Sequence, residues 1–148
     1  MRQIRTEIAI AASSDRVWEV LSDLARYPEW NPFVTEAKGP LTPGASLRVV
    51  LKPEGGRPMA FRPMVLQADP GRALRWRGRL ALRGLFDGEH SFAISSLPDG
   101  TVQFEQSERF SGILVPLVMR RRMTEATRRG FEAMNLALKA RAEQRPDG

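Results

Sequence analysis

The sequence predicts an α+β domain in which a curved antiparallel sheet of about seven strands grips a long C-terminal helix. Between residues 4 and 110, several short segments alternate apolar and polar residues, as half-buried strands do. Turn sequences such as Asp69-Pro70-Gly71 and Pro98-Asp99-Gly100 separate these segments. After residue 116 the apolar residues recur every three or four positions, which indicates an amphipathic helix. This helix is the only large element able to cover the apolar face of the sheet.

The chain opens with a predicted strand and a short helical region. Ile4, Ile8 and Ile10 alternate with polar residues, which indicates a half-buried strand. Ser13-Ser14-Asp15 is a typical helix N-cap sequence. Apolar residues follow at helical spacing up to Leu24, and the prolines of the segment Tyr27–Phe33 limit the helix beyond that point.

The remaining elements are predicted in the same way. Strands are expected near residues 47–52, 59–68, 74–78, 86–94 and 102–110, and a helix from about Pro116 to Arg141. Pro63 interrupts the segment 59–68, so an edge strand or a bulge is expected there. We predict one domain over residues 1–143 and a flexible tail over residues 144–148.

Composition excludes several kinds of chemistry. The chain of 148 residues has no cysteine and a single histidine, His90. A disulfide scaffold, a thiol nucleophile and a classical zinc site are therefore not expected, and we predict neither a metal nor a cofactor. The sequence contains no phosphate-binding glycine-rich loop, no dinucleotide fingerprint and no nucleophile elbow.

The net charge of +6 suggests an anionic partner without choosing one. Arg75 and Arg77 lie on the outer parity of a strand, whereas the aromatic residues lie on the inner parity. Since nucleic-acid binding usually combines basic and exposed aromatic residues, we predict a solvated basic face and no nucleic-acid partner. Neither a signal peptide nor a membrane span is evident, so a cytoplasmic location is expected.

Three polar residues share the inner parity of the last two predicted strands. His90 has the parity of Phe92, while Gln106 and Glu108 have that of Phe104. The turn at residues 98–100 pairs the two strands, so His90 should lie opposite Glu108. Such a pair would serve as a polar anchor for a ligand or as an acid/base pair. The alternative is a satisfied pair within the core or at a wet rim.

Short motifs along the whole chain resemble the START-like, or birch-pollen-allergen-like, superfamily. The chain is most similar to its bacterial branch of polyketide cyclase/dehydrase and lipid-transport proteins, abbreviated SRPBCC. The matching motifs are Ser14-Asp15-Arg16-Val17-Trp18, Tyr27-Pro28-Glu29-Trp30-Asn31-Pro32-Phe33, Leu74-Arg75-Trp76-Arg77-Gly78, Gly88-Glu89-His90-Ser91-Phe92, Phe110-Ser111-Gly112-Ile113-Leu114 and Arg129-Gly130-Phe131-Glu132-Ala133-Met134-Asn135. The resemblance implies the helix-grip fold, two short helices after the first strand, and a deep apolar cavity between the sheet and the last helix.

We therefore predict that the chain binds a hydrophobic or amphipathic small molecule in this cavity, as a carrier or sensor. The candidate ligand-binding residues are Trp30, Phe33, Phe61, Trp76, Phe86, His90, Phe92, Phe104, Gln106, Glu108, Met123, Thr127, Phe131 and Met134. Trp30 and Phe33 have an equally plausible role as core residues that plug one end of the sheet. The methionines, too, are compatible with plain core packing. Gly130 either allows close packing of the helix or leaves space for a ligand.

Two other functions stay open. The chain could be a cyclase or dehydratase in which His90 and Glu108 are the catalytic acid/base pair. It could also act at a membrane surface or on a macromolecule through its basic face, because the apolar segment 113–119 precedes Arg120-Arg121-Arg122. The alternative for this segment, which we favour, is a helix start packed on the sheet and followed by a solvated basic turn. The sequence does not predict the oligomeric state.

Overall fold

The computed structural model describes residues 2–79, 84 and 86–144. Within this part the strands are β1 (Arg2–Ile10), β2 (Val34–Lys38), β3 (Arg48–Leu51), β4 (Met59–Phe61), β5 (Met64–Asp69), β6 (Ala73–Arg79), β7 (Asp87–Ser96) and β8 (Val102–Ser111). The α-helices are α1 (Ser14–Ser22), α2 (Tyr27–Trp30), α3 (Val115–Val118) and α4 (Arg121–Glu143). Apart from Gln144, the tail predicted for residues 144–148 lies outside the described residues.

The strands form two antiparallel sheets rather than a single one. The larger sheet has the order β1-β8-β7-β6-β5, and the smaller has the order β2-β3-β4. The predicted strand 59–68 is divided at Pro63, because proline has no backbone N–H for the strand ladder. Its halves, β4 and β5, belong to different sheets. An isolated β-bridge pairs Met64, the first residue of β5, with Ser46, which lies just before β3. The α+β helix-grip fold is confirmed, with eight described strands instead of about seven.

The C-terminal helix is also interrupted. The predicted helix from Pro116 to Arg141 consists of the short α3 and the long α4, which are separated at Met119 and Arg120. Met119, with φ −94° and ψ 58°, ends α3, and the extended Arg120, with φ −70° and ψ 164°, is the N-cap of α4. No helix in the described ranges combines the length and the apolar character that a membrane crossing would require.

The first helix holds the end of the last one. Ser13 caps α1 as predicted, since its hydroxyl accepts a hydrogen bond from the Arg16 N–H at 3.1 Å. The Arg16 guanidinium donates to the backbone oxygens of Arg141 at 3.0 Å and Ala142 at 3.2 Å. A cation at the carbonyl end of a helix is favourable both as a hydrogen-bond donor and through the helix dipole. This contact fixes the C-terminal end of α4 against α1.

Alternation along the strands places the core between the larger sheet and α4. Leu74, Phe92 and Phe104 point toward the helix and are fully buried, as are Met134 and Leu138 on the facing side of α4. The predicted inward parity of the strands is therefore correct.

Candidate functional site

An apolar cavity lies between the two sheets and the beginning of α4. Its volume is about 220 Å³, and residues from both sheets, α3 and α4 line it. Eight of the predicted ligand-binding residues are in its wall, namely Phe33, Phe61, Trp76, Phe86, Glu108, Met123, Thr127 and Phe131. A cavity of about 150 Å³ can hold benzene, so this one has room for a molecule of one or two rings. That these residues bind a ligand stays a prediction.

The other predicted residues do not line the cavity, which corrects their expected placement. Phe92, Phe104 and Gln106 have the expected inward parity, and Met134 is buried on the facing side of α4, but here α4 packs directly against the sheet and leaves no space. His90 lies behind the wall, with its ring stacked on Trp76 at a centroid distance of 5.5 Å.

Trp30 lies outside the cavity as well and packs against the core, which agrees with the second of the two roles predicted for it. It packs edge-on against Tyr27 at a centroid distance of 5.1 Å, since α2 turns it toward α1 and the C-terminal end of α4. Phe33, three residues later, is at the cavity instead.

Two glycines that were not among the predicted ligand-binding residues form part of the cavity wall. Gly78 lies directly opposite Gly88 on the neighbouring strand, and both line the cavity. A Cβ atom at Gly78 would meet no atom within 4 Å, so the space above it is open. At Gly88 the Cβ would approach the Glu108 carboxylate oxygen Oε2 at 3.0 Å. The only sequence signal was a glycine at an inward strand position.

Close packing explains the glycine of α4. A Cβ atom on Gly130 would lie 2.5 Å from the ring of Phe33, a distance that no real contact tolerates. Phe33 in turn packs edge-on against Phe131 at a centroid distance of 5.5 Å. Gly130 therefore allows Phe33 to sit on the helix as part of the cavity wall.

His90 and Glu108 form the polar pair that the strand register predicted. They are directly opposite each other on β7 and β8, and His90 Nδ1 is 2.7 Å from Glu108 Oε1. The other imidazole nitrogen, Nε2, is 2.8 Å from the side-chain oxygen of Gln106. The His90 side chain is 2% exposed and that of Glu108 is 16% exposed. Glu108 is thus the member of the pair that faces the cavity.

The pair belongs to a buried relay of hydrogen bonds that the sequence did not reveal. The Gln106 amide donates to Asn135 Oδ1 at 2.8 Å, and the Asn135 amide donates to the Thr6 hydroxyl at 2.9 Å. Thr6 in turn donates to the backbone oxygen of Gln106 at 3.0 Å. We call Glu108, His90, Gln106, Asn135 and Thr6 the polar relay. It joins β1, β7, β8 and α4.

Backbone carbonyls fix the direction of the hydrogen bonds that run from Thr6 through Asn135 and Gln106 to His90 in the polar relay. A carbonyl oxygen only accepts, so the Thr6 proton must go to Gln106, and Thr6 must receive a proton from Asn135. The Asn135 oxygen then faces Gln106, whose amide nitrogen donates to it and also reaches the Phe131 oxygen at 3.4 Å. The Gln106 oxygen is left for His90, so Nε2 of His90 must carry a proton.

This assignment determines the proton content of the pair. With Nε2 protonated, a neutral His90 would direct the lone pair of Nδ1 at Glu108 Oε1, only 2.7 Å away. Two lone pairs at this distance repel, so a proton must lie between the two atoms. Whether it resides on nitrogen or oxygen, the pair as a whole is neutral, which suits a wall that is otherwise apolar.

The outer face of the same strands is charged. Glu89 points away from the cavity and forms ion pairs with Arg75 and with Arg77. The hydrogen bond from Arg75 holds the pKa of Glu89 below its ordinary value, and the charges of the arginines add to this effect. Among the described residues, no group of three or more His, Asp or Glu side chains is arranged to hold a metal ion.

An exposed apolar segment lies beside the cavity. Ile113 is 76% exposed and Leu117 is 58% exposed. Both precede the arginines 120–122, which are exposed at the start of α4. Val115 and Met119 of the same segment are buried in the core, so both interpretations of the segment remain open.

Comparison with known proteins gives a consistent family and fold. The model of a family described as polyketide cyclase/dehydrase and lipid transport matches residues 1–143. No curated protein matches the chain. Among solved structures, the Zhui aromatase/cyclase from Streptomyces sp. R1128 is 20% identical, with 99% of this chain and 98% of that chain covered and a TM-score of 0.79.

Two further structures are similar. A START superfamily protein from Mycobacterium smegmatis is 19% identical, with 96% of this chain and 97% of that chain covered and a TM-score of 0.74. Ara h 8.0201 is 13% identical, with 95% and 97% covered and a TM-score of 0.71. At these identities the likeness shows the fold alone.

Proposed function

The chain belongs to the polyketide cyclase/dehydrase and lipid transport family, and from this premise we propose that it binds a hydrophobic or amphipathic small molecule in the cavity between its sheets and α4. The observation that carries this proposal is the composition of the cavity wall. Among its described side chains Glu108 is the only ionisable one, Thr127 adds a hydroxyl group and Trp76 an indole N–H, while hydrocarbon and thioether groups form the rest. Apolar surface would supply affinity, and Glu108 would orient the ligand.

Native mass spectrometry of the protein purified from cells tests this proposal. A bound molecule that is released on denaturation is the expected result. The Gly78→Val variant is the matched control, because its side chain would project into the open space above Gly78. Loss of the bound molecule in this variant would locate it in the cavity. An equal load in both proteins, or none in either and no binding from a panel of lipids and polyketides, would contradict the proposal.

A second candidate is a cyclase or dehydratase activity. The observation that favours it is the distance of 2.7 Å between His90 Nδ1 and Glu108 Oε1 next to a cavity, since a positioned group that holds a proton can serve as a general acid or base. The solved Zhui structure is described as an aromatase/cyclase. With a polyketide panel, His90→Ala should abolish turnover while ligand binding persists. Full turnover by this variant would exclude His90 and Glu108 as the catalytic pair.

Contact with a membrane surface is a third candidate. The exposed Ile113 and Leu117 beside a run of arginines favour it, because apolar side chains insert among lipids while arginines attract anionic headgroups. Cosedimentation with vesicles of phosphatidylcholine and phosphatidylserine should then decline steeply with salt, and Leu117→Asp should weaken it. Binding that is absent at low salt would remove this candidate.

A further inference from the structure

The oxygen atoms of Glu108 and Thr127 in the cavity wall can only accept hydrogen bonds from a ligand, and the indole N–H of Trp76 is the one side-chain donor among the described lining residues. The two acceptors constrain the ligand. We propose that the cavity selects apolar molecules that carry a hydroxyl or phenol group, and that it discriminates against carboxylates. This inference rests on the proposed binding function and specifies the class of ligand. It follows from the protons of two residues, Glu108 and Thr127.

Glu108 cannot donate a hydrogen bond to a ligand, because its proton is shared with His90. This proton lies between Oε1 and His90 Nδ1, because the polar relay keeps Nε2 of His90 protonated. The second oxygen, Oε2, makes no hydrogen bond to a described residue and would lie 3.0 Å from a Cβ at Gly88. Gly88 thus leaves room beside this oxygen. Oε2 only accepts hydrogen bonds, whether the shared proton is on nitrogen or on oxygen.

At Thr127, the hydroxyl proton is committed as well. It is donated to the backbone oxygen of Met123, one turn earlier in α4, at 2.8 Å. Only the lone pairs of the Thr127 oxygen remain for a ligand. The thioethers of Met119 and Met123 are weak acceptors and have no proton to donate.

A ligand in this cavity therefore satisfies the wall only if it brings its own donor. A hydroxyl group can donate to Oε2 of Glu108, whereas an ether cannot. A carboxylate is the least suitable group, because it would bring a charge into a mostly apolar cavity. The neutral His90–Glu108 pair would not offset that charge, and the Trp76 indole N–H is the single side-chain donor among the described lining residues.

Three probes with one naphthalene skeleton test this inference: 2-naphthol, 2-methoxynaphthalene and 2-naphthoate. Isothermal titration at pH 7 should show that 2-naphthol binds at least tenfold more tightly than 2-methoxynaphthalene, with 2-naphthoate the weakest. Equal affinities, or tightest binding of 2-naphthoate, would overturn the inference and leave the proposed binding function intact. If none of the three probes binds, the proposed function fails for a cavity of this size, and the inference fails with it.

Variants of Glu108 and Thr127 test whether these two acceptors cause the preference for 2-naphthol over 2-methoxynaphthalene. Glu108→Leu should reduce the advantage of 2-naphthol over 2-methoxynaphthalene to less than twofold. Glu108→Gln should retain most of it, because the amide nitrogen can donate to His90 Nδ1 and leave the amide oxygen facing the cavity. Thr127 is half-buried on α4 and does not belong to the polar relay, so Thr127→Val tests the inference without disturbing the relay. This variant should partly reduce the advantage of 2-naphthol over 2-methoxynaphthalene. An advantage that persists in both Glu108→Leu and Thr127→Val would contradict the inference.

Discussion

Gly78 and Gly88 face each other across β6 and β7, and together they form a part of the cavity wall that has no side chains. Gly78 has no positive φ and nothing within 4 Å of its missing Cβ, so a larger residue fits there without strain. The open space at this part of the cavity wall therefore exists because these two residues have no side chains. One substitution should be able to close it.

We expect Gly78→Val to abolish ligand binding without loss of stability. Valine is favoured in strands and would bury its methyl groups in the cavity, so the free energy of unfolding should stay within about 1 kcal/mol of the wild type or rise. Titration with 2-naphthol and urea denaturation would measure the two effects. Gly78→Ala, with a smaller side chain, should weaken binding less. A variant that binds normally would show that the ligand lies elsewhere.

The protonation of His90 can be measured directly, because the chain contains one histidine. The polar relay predicts that Nε2 carries a proton, held in a hydrogen bond to Gln106. In protein labelled with ¹⁵N-histidine, long-range proton–nitrogen spectra at pH 7 should show a protonated Nε2. An unprotonated Nε2 would contradict the assignment. Gln106→Leu removes the acceptor and should shift this resonance, whereas Gln103→Leu on the outer face of β8 should not.

Gly130→Ala should destabilise the protein. Alanine is favoured over glycine in a helix by about 1 kcal/mol. The new Cβ, however, would overlap the Phe33 ring at 2.5 Å, and overpacking of this kind costs about 1–3 kcal/mol. We therefore expect a net loss of up to about 2 kcal/mol in urea denaturation. Phe33→Leu in the same background should recover part of the loss, and a stabilised Gly130→Ala variant would refute the packing argument.

Glu89 should make the fold sensitive to acid. Its pKa is lowered in the folded protein, first of all by the hydrogen bond from Arg75. Its stabilising effect is therefore present above the unfolded pKa of about 4.3 and is lost as the pH falls through the folded pKa. Glu89→Gln should cost about 0.5 kcal/mol at pH 7 and little at about pH 3, as measured by urea denaturation. An equal cost at both values of pH would contradict this, and Glu132→Gln, an exposed residue of α4, is the control.

Alternation and turn sequences were sufficient to predict the fold and the central pair. The alternation around Phe92 and Phe104, together with the turn at residues 98–100, placed His90 opposite Glu108, where the structure has it. Pro63 signalled an irregularity, but a local pattern does not show that the chain changes sheet at that residue. The strand β2 was not predicted, because residues 34–38 show no clear alternation of apolar and polar residues.

Much of the candidate site could not be predicted in this way. Thr6 and Asn135 are 129 residues apart, and neither has a neighbour that suggests a partner. The hollow between Gly78 and Gly88 depends on missing side chains, which leave no hydrophobic pattern. Strand parity also does not distinguish the cavity wall from the solid core, since Trp76 and Phe92 have the same parity and, of the two, only Trp76 lines the cavity.

The pairing of β1 with β8 has a consequence for how the protein folds. Arg2 lies opposite Phe110, and Ile10 lies opposite Val102, so this ladder closes only after more than ninety intervening residues are in place. Folds dominated by such distant pairings form slowly, typically in milliseconds to seconds. Because Thr6 is on β1 and Asn135 is on α4, the polar relay needs both ends of the domain. The proton on Nε2 of His90 therefore depends on contacts between segments that are far apart in the sequence.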